Sequence, residues 1–484
     1  MERTVSYREV SFRINAGVIM NIKNACFMCP VLMSLSFGTL AAECNNETMP
    51  GNFICATNEG IIPNSDQDIS NLLTQLLNKS NAEKKGVFFP AGYYSINQAV
   101  NLKSYNSITG STKGVLFKGP NWPGKAVVLG NGIYTDTVHD VNIKNIVFNN
   151  IRIYFYGRKS RVNILDNIFV NTKTYDSSAK ENLPQLELNT AAYHVKGNAF
   201  LRGENYPGLG LKIFGNAQGM LIENNFWGSL DKLDLATPWM TDETRAALAN
   251  LKEMREKGWI DFSGDQDYFI TAWNSVSGTQ KAIFRNNFVS GSLLQTFREP
   301  ITGSQIVRDH AIYLKKYNDI DIIHNYFGGW PKDAYGQLKL RNAENLVFAG
   351  NTLDGINFEA RPYNDLPDAL FFRNTYIFNN YISEGVVDYY QNFFDDAIQS
   401  IDVKDFLVFD NVFSAKDHDK PRINASARSS NTTDFLAGGN IYEKSQDPVK
   451  LNGRMKSEDV NVLKSKLPEN KQHYLDITPV MLKP

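Results

Sequence analysis

Read for the spacing of apolar and polar positions, the chain repeats one short phrase along most of its length. NILDNIF ends at Phe169, HVKGNAF at Phe200, LIENNFW at Trp227, IFRNNF at Phe288 and DIIHNYF at Phe327; LVFAGNTL, YIFNNYI, LVFDNVF and LAGGNIY continue the series. Each unit alternates β-branched or aromatic residues with polar ones, then places Asn, then an aromatic or aliphatic residue. That pattern predicts a short strand followed by a bend. Asn325, Asn351, Asn380, Asn411 and Asn440 recur 26 to 31 residues apart, the period of a solenoid rather than of separate domains. Asparagine suits the bend because it tolerates left-handed backbone angles, and one amide stacked per coil makes a ladder.

Two stretches break the strand rhythm. DISNLLTQLLNKSNAEKKG, with Asp68 near its start, predicts an amphipathic helix leading into the strand GVFFPAGYYSI. A helix there would cap the open end of a coil, which otherwise exposes apolar core and unpaired backbone. TPWMTDETRAALANLKEMREKGW predicts a second helix, capped by Thr241, running toward Lys257 and stopped by Gly258. This insertion either walls one end of a cleft or packs over a coil. After Tyr442 the repeat fades, which predicts a capping tail with little regular structure. The expected organisation is an N-terminal extension and signal peptide over 1–42, a helical cap over 43–85, a coil over 86–445 with the insertion near 230–260, and a tail over 446–484.

This pattern resembles the right-handed parallel β-helix of the pectate-lyase-like superfamily over roughly Gly86 to Tyr442, with the helix and following FPAGY similar to the cap and first coil of many of its carbohydrate enzymes. The expected fold class is therefore all-β, a right-handed parallel β-helix with an N-terminal helical cap and one helical insertion. Such a fold hosts many reactions and does not name one.

Composition narrows the partners. Hydrophobic residues make up 42% and charged residues 21%, with 50 Lys and Arg against 51 Asp and Glu, which disfavours a general nucleic-acid binder and makes any cationic site a local feature. From Met20, MNIKN, ACFMCPVLMSLSFGTL and AAEC read as a basic start, an apolar run and small residues near a cut at Ala41 or Ala42, a signal for secretion or periplasmic export. The run is too short for a stable membrane span. Cys26 and Cys29 fall inside this signal; Cys44 and Cys55 remain, and an even pair in an exported chain predicts a disulfide.

Parity along three strands then gathers charge. In DHAIYLKK, Ile312 and Leu314 point inward and Tyr313 and Lys315 outward; in YGQLKLRN, Leu338 and Leu340 go in, Lys339 and Arg341 out; in INFEARP, Ile356 and Phe358 go in, Asn357, Glu359 and Arg361 out. Stacked in that register, Tyr313, Lys339 and Glu359 form one column and Lys315, Arg341 and Arg361 another. Three stacked cations beside a single carboxylate form an outward basic patch whose cost an anion would offset. Arginine forks and a long groove suit an acidic, uronate-bearing polysaccharide. For β-elimination, Arg341 and Arg361 are carboxylate clamps, Lys339 is the base with its pKa drawn down by cations and up by Glu359, and Tyr313 or His310 serves the leaving oxygen. His310, inward at the strand's edge, is equally a structural histidine. Lys315, Glu359 and Gln337 complete the set as substrate-binding residues.

QLKLRNAEN and INFEAR also resemble two strands of the polysaccharide lyase family that includes chondroitinase B and alginate lyases. On that resemblance Arg341 takes the position of the family's lysine base and Arg361 that of its arginine, and Lys339 substitutes as base from the same face. The family's calcium-binding glutamates should precede the lysine position, but Ala334 and Gly336 stand there, so calcium stays open and no metal is assigned. Asp395 and Asp396 are adjacent and so point to opposite faces of a strand, which argues against a hydrolase pair. Sequons at Asn46, Asn78, Asn424 and Asn431 carry little weight. The mature region has no phosphate loop, GxSxG, HExxH or paired CxxC. The expected function is a secreted or periplasmic, monomeric lyase; a hydrolase, an epimerase or a non-catalytic polysaccharide-binding or export factor are the alternatives.

Overall fold

The computed structural model describes Cys44 and most of 49–482. The segments 122–125, 131–137, 173–174, 177–180, 183, 202–207, 214–218, 262–268, 276–279, 292–295, 299–304, 308–309, 330–337, 363–370, 392–401 and 428–434 lie outside the described residues. So do residues 1–43 and 45–48, on which the expected signal with Cys26 and Cys29 falls, and the positions Asn46, Ala334, Gly336, Gln337, Asp395, Asp396 and Asn431.

The alternating runs form parallel strands wound into a right-handed β-helix. Each coil contributes strands to three strips, as Leu338–Arg341, Ala343–Ala349 and Thr352–Asp354 do. Strands of the first strip pair Ile312 with Leu338, Phe358, Val387 and Ile423 in turn; those of the second pair Ile322, Phe348, Ile377 and Val408. The third strip is a separate 13-stranded sheet. Inward residues of all three fill one continuous core, in which Phe148, Phe169, Phe200 and Trp227 stack with ring centroids 5.4, 5.0 and 4.7 Å apart. Ile312, Leu314, Leu338, Leu340, Ile356 and Phe358 belong to it, on the side that parity assigns them.

The asparagine ladder stands at the bend between the second and third strips. Asn167, Asn198, Asn225, Asn287, Asn325, Asn351, Asn380, Asn411 and Asn440 are all buried. In each step, one Oδ1 accepts from both the backbone N–H and the Nδ2 of the asparagine one coil earlier, at 2.8 to 3.1 Å. The left-handed angle expected at these asparagines falls instead on the residue just before each: Asp166, Gly197, Asn224, Asn286, His324, Gly350, Asn379, Asp410 and Gly439 all have positive φ. The division of labour is physical. The preceding residue turns the chain, so the ladder asparagine keeps an ordinary backbone and aims its amide inward.

The first expected helix is Ser70–Glu83, with Leu73, Leu76 and Leu77 buried in the main core. Nearby, Cys44 and Cys55 are joined in a disulfide packed on Phe88. The insertion forms a helix over Asp242–Glu256; Thr241 Oγ1 accepts from the Thr244 N–H at 3.1 Å, and Gly258 ends it at φ 69°. Its Leu248, Leu251 and Met254 cover outward apolar residues of the third strip, among them Val147, Ile168 and Phe226. The insertion therefore packs over coils and is not a wall of the first strip.

The C-terminal segment departs from the structureless tail expected. Leu451–Gly453 and Lys456–Ser457 extend the coil past the boundary read at 445, and a short helix follows at Val460–Ser465. The chain then runs back along the outside of the second strip, laying Leu467, Tyr474 and Ile477 on Ile323, Tyr376, Phe378 and Phe409. Asp321 anchors it, accepting from Lys471 Nζ at 2.7 Å and from the Tyr474 hydroxyl at 2.9 Å. Among the described residues, no helix is long and apolar enough to cross a membrane.

The ladder makes a measurable claim. Asn351→Ala removes the acceptor of the Asn325 N–H and Nδ2 and the donor that reaches Ile322 O and Asn380 Oδ1. Leaving such groups buried and unpaired should cost about 3 kcal/mol in urea unfolding. Asn374→Gly, in the partly exposed Asn318, Asn345, Asn374 series, suits the left-handed backbone at φ 54° and should cost under about 1 kcal/mol; equal losses would contradict the role given to burial.

Candidate functional site

The first strip places Tyr313, Lys339 and Glu359 at paired positions on consecutive coils, and pairs Lys315 with Arg341. Arg361 follows the end of its strand; its N–H donates to Leu340 O at 2.9 Å, and its own carbonyl accepts from Arg341 Nη1 at 3.3 Å. All six side chains leave the coil on its outer side, with neighbouring strands about 4.8 Å apart.

Two features differ from the expected open patch with one carboxylate. Lys339 is 1% and Glu359 5% exposed, so these outward positions are buried rather than solvated. A second carboxylate, Asp388, extends the column: Glu359 pairs with Asp388, and Asp388 with Asn424. Asp388 sits in VVDYYQ, whose alternation matches the strands before it, so parity puts it on the outer side, and alignment with Glu359 puts it in the column.

The contacts are charge-complementary. Lys339 Nζ and Glu359 Oε2 form a direct ion pair, and Arg361 Nε lies 3.0 Å from the same oxygen. Aromatic faces take up the remaining positive charge: Lys315 Nζ stands 5.3 Å and Arg341 Cζ 5.6 Å from the Tyr313 ring centre, and Arg361 Cζ 5.0 Å from that of Tyr390. The repulsion expected between stacked cations is thus met by one carboxylate and two rings. His310 is buried just before its strand, its ring 5.0 Å from that of Tyr313. Gln337 lies outside the described residues.

Burial sets the ionisation. Desolvation pushes the Lys339 ammonium below the usual lysine range; Glu359 opposes this, and Arg361 and Arg341 add to it. Desolvation also pushes the Asp388 carboxyl up to about 6, with Glu359 adding to the rise and Arg361 and Lys339 opposing it. A lysine drawn below its usual range and an acid that holds its proton near neutrality stand two coils apart. That is the pattern of acid and base chemistry.

Toward the N-terminus the same column continues through Asn274, Lys212, Glu187 and Tyr154. Glu187 and Lys212 are buried, and Arg152 Nη2 pairs with Glu187 at 3.1 Å. Sequence reasoning missed this stretch because LELNT and GLGLKIFG carry isolated charges without a cluster in the chain. Among the described residues, no three His, Cys, Asp or Glu side chains are grouped to hold a metal ion.

By sequence, the chain matches no protein-family model and no curated protein. Among solved structures it is similar to a surface adhesin of Streptococcus pneumoniae, at 12% identity over 84% of this chain and 89% of that one, TM-score 0.47. It is also similar to the A-module of an Azotobacter vinelandii mannuronan C-5 epimerase, at 11% over 84% and 97%, TM-score 0.44. A third is a mannuronic acid specific polysaccharide family 6 lyase from human gut microbiota, at 12% over 89% and 91%, TM-score 0.43.

The buried pair can be tested without a substrate. Glu359→Gln removes the carboxylate that Lys339 contacts and should lower stability at pH 7 by about 3 kcal/mol. A lysine with a depressed folded pKa binds fewer protons folded than unfolded, so stability rises with pH through that window. The deficit of the variant should therefore shrink between pH 7 and pH 10 in urea unfolding. An undiminished deficit would show that Lys339 is not the group left stranded.

Proposed function

We propose that the chain is an exported lyase that cleaves an acidic, uronate-containing polysaccharide by β-elimination. The observation that carries this is the buried Lys339, depressed in pKa and set between Arg341 and Arg361 in one register-locked patch. A uronate carboxylate held by the two guanidinium forks loses negative charge, which acidifies the proton on the adjacent ring carbon. Neutral Lys339 takes that proton, and Glu359 stabilises the ammonium that forms. The electron pair left on carbon becomes the new ring double bond as the bond to the glycosidic oxygen breaks. The departing oxygen takes its proton from Tyr313, against which His310 packs. Lys315 lengthens the cationic side of the site.

One observation favours a second reaction, glycoside hydrolysis. Glu359 and Asp388 occupy paired positions on neighbouring coils, and Asp388 holds its proton up to about 6, which splits two adjacent carboxyl groups into an acid and a carboxylate as such a reaction needs.

Incubating the purified full chain with alginate, pectate, glycosaminoglycans and bacterial exopolysaccharides separates these. A lyase gives an unsaturated product that absorbs in the ultraviolet; a hydrolase gives new reducing ends without it; an epimerase changes the uronate without cutting. Lys339→Ala should lower kcat by 10² to 10⁴-fold with binding retained. Arg361→Ala should lower kcat/KM and raise KM. Binding with no turnover of any such polymer by the wild type would make the chain a polysaccharide-binding or export factor instead.

A further inference from the structure

We propose that Asp388 is a positioning residue: it sets the pH at which Lys339 gives up its proton by placing a second negative charge in the same outward column. Lys339, Glu359 and Asp388 occupy paired positions on three successive coils, and the first two are almost fully buried. Their spacing is fixed by backbone hydrogen bonds, with Lys339 and Asp388 about 9.6 Å apart along the column. At that distance, in a site withdrawn from water, one unit charge moves its neighbour's ionisation by about one pH unit.

Among the described residues, the charged groups around the pair can be named. Facing Asp388 from the preceding coils are Glu359, Arg361 and Lys339; the next coil presents the neutral Asn424, and Tyr390 shares its strand. Arg422, at the start of that next coil, is buried and turned to Asp417 O at 3.0 Å. Facing Lys339 are Glu359, Arg341, Arg361 and Tyr313, with His310 and Lys315 behind Tyr313.

The sign follows directly. Below about pH 6 Asp388 is neutral, and Lys339 feels two arginines and one carboxylate. Above it, the second carboxylate favours the ammonium and holds the lysine charged to higher pH. Asp388 therefore delays the deprotonation of Lys339. It acts through Glu359 and the shared field rather than by touching a substrate.

The test begins without one. The full chain is labelled with lysine carrying carbon-13 at Cε, the Lys339 signal is assigned by its loss in Lys339→Arg, and its midpoint is followed against pH. Asp388→Asn should lower that midpoint by about one pH unit. Asn already fills the next two positions of the column, at Asn424 and Asn452, so the replacement fits the ladder geometry. Asp388→Glu keeps the charge and should leave the midpoint near that of the wild type; Asp388→Ser supplies the neutral comparison if Asn impairs folding. An unmoved or raised midpoint in the neutral variants overturns the proposal.

The kinetic arm rests on the lyase reading. The rising limb of kcat/KM against pH should shift down by the same amount in Asp388→Asn. A uniform drop in kcat with the limb in place would leave Asp388 a merely structural role and also overturns the proposal when the midpoint is unmoved. If the midpoint moves but the limb does not, Lys339 is not the base: the lyase mechanism fails and the coupling stands.

Discussion

Every functional statement about this protein depends on the amide-to-amide hydrogen bonds that hold one coil in register with the next. A shift of one residue in a strand would carry its whole outward set into the core. The ladder prevents this because each asparagine accepts two hydrogen bonds from its predecessor inside a dry interior. Coil length is then free to vary. The ladder step from Asn225 to Asn287 spans 62 residues, yet its bonds are 2.9 and 3.0 Å, the same as where coils are short. Insertions leave the stack sideways, as the Asp242–Glu256 helix does, and the pairing of Lys339 with Glu359 is undisturbed.

Outward side chains on such a coil usually meet water. Arg373 and Asp402, paired at 2.5 Å on the second strip, are about half exposed and contribute little to stability. Lys339 and Glu359 are different in kind. Burying an ion pair costs several kcal/mol per charge in desolvation, and apolar residues of similar volume would be at least as stable there. Stability alone does not explain a buried lysine and glutamate, with a half-buried aspartate beside them, on the outer face of a strip. Under the proposed function such groups would serve proton transfer, because burial moves their ionisation away from ordinary values.

Much of this was legible in the chain. The repeat gave the coil, and parity gave the columns, because a period of two is a local property that each strand carries in its own sequence. Thr241 and Gly258 bounded the insertion for the same reason: caps are local. Whatever depended on distant chain was hidden. Nothing in LKLRN says that Lys339 is buried, since its ion-pair partner Glu359 lies one coil on. Nothing in KQHYLDI says that Lys471 and Tyr474 reach Asp321, 150 and 153 residues away. Asp388 is the instructive case. Its strand alternates as plainly as the others, but a lone aspartate announces nothing until it is aligned with Glu359 one coil before.

The charge of the site is then a property of the stack and not of any strand. Upstream, Arg152 and Lys212 flank Glu187, an excess of one positive charge among these residues. At the centre, Lys315, Lys339, Arg341 and Arg361 face Glu359 and Asp388, an excess of two positive charges that becomes three when Asp388 holds its proton. A chain with 50 basic and 51 acidic residues has concentrated that excess in four coils. A localised excess of this kind is complementary to an anionic ligand, and it arises only from the register that brings distant strands together.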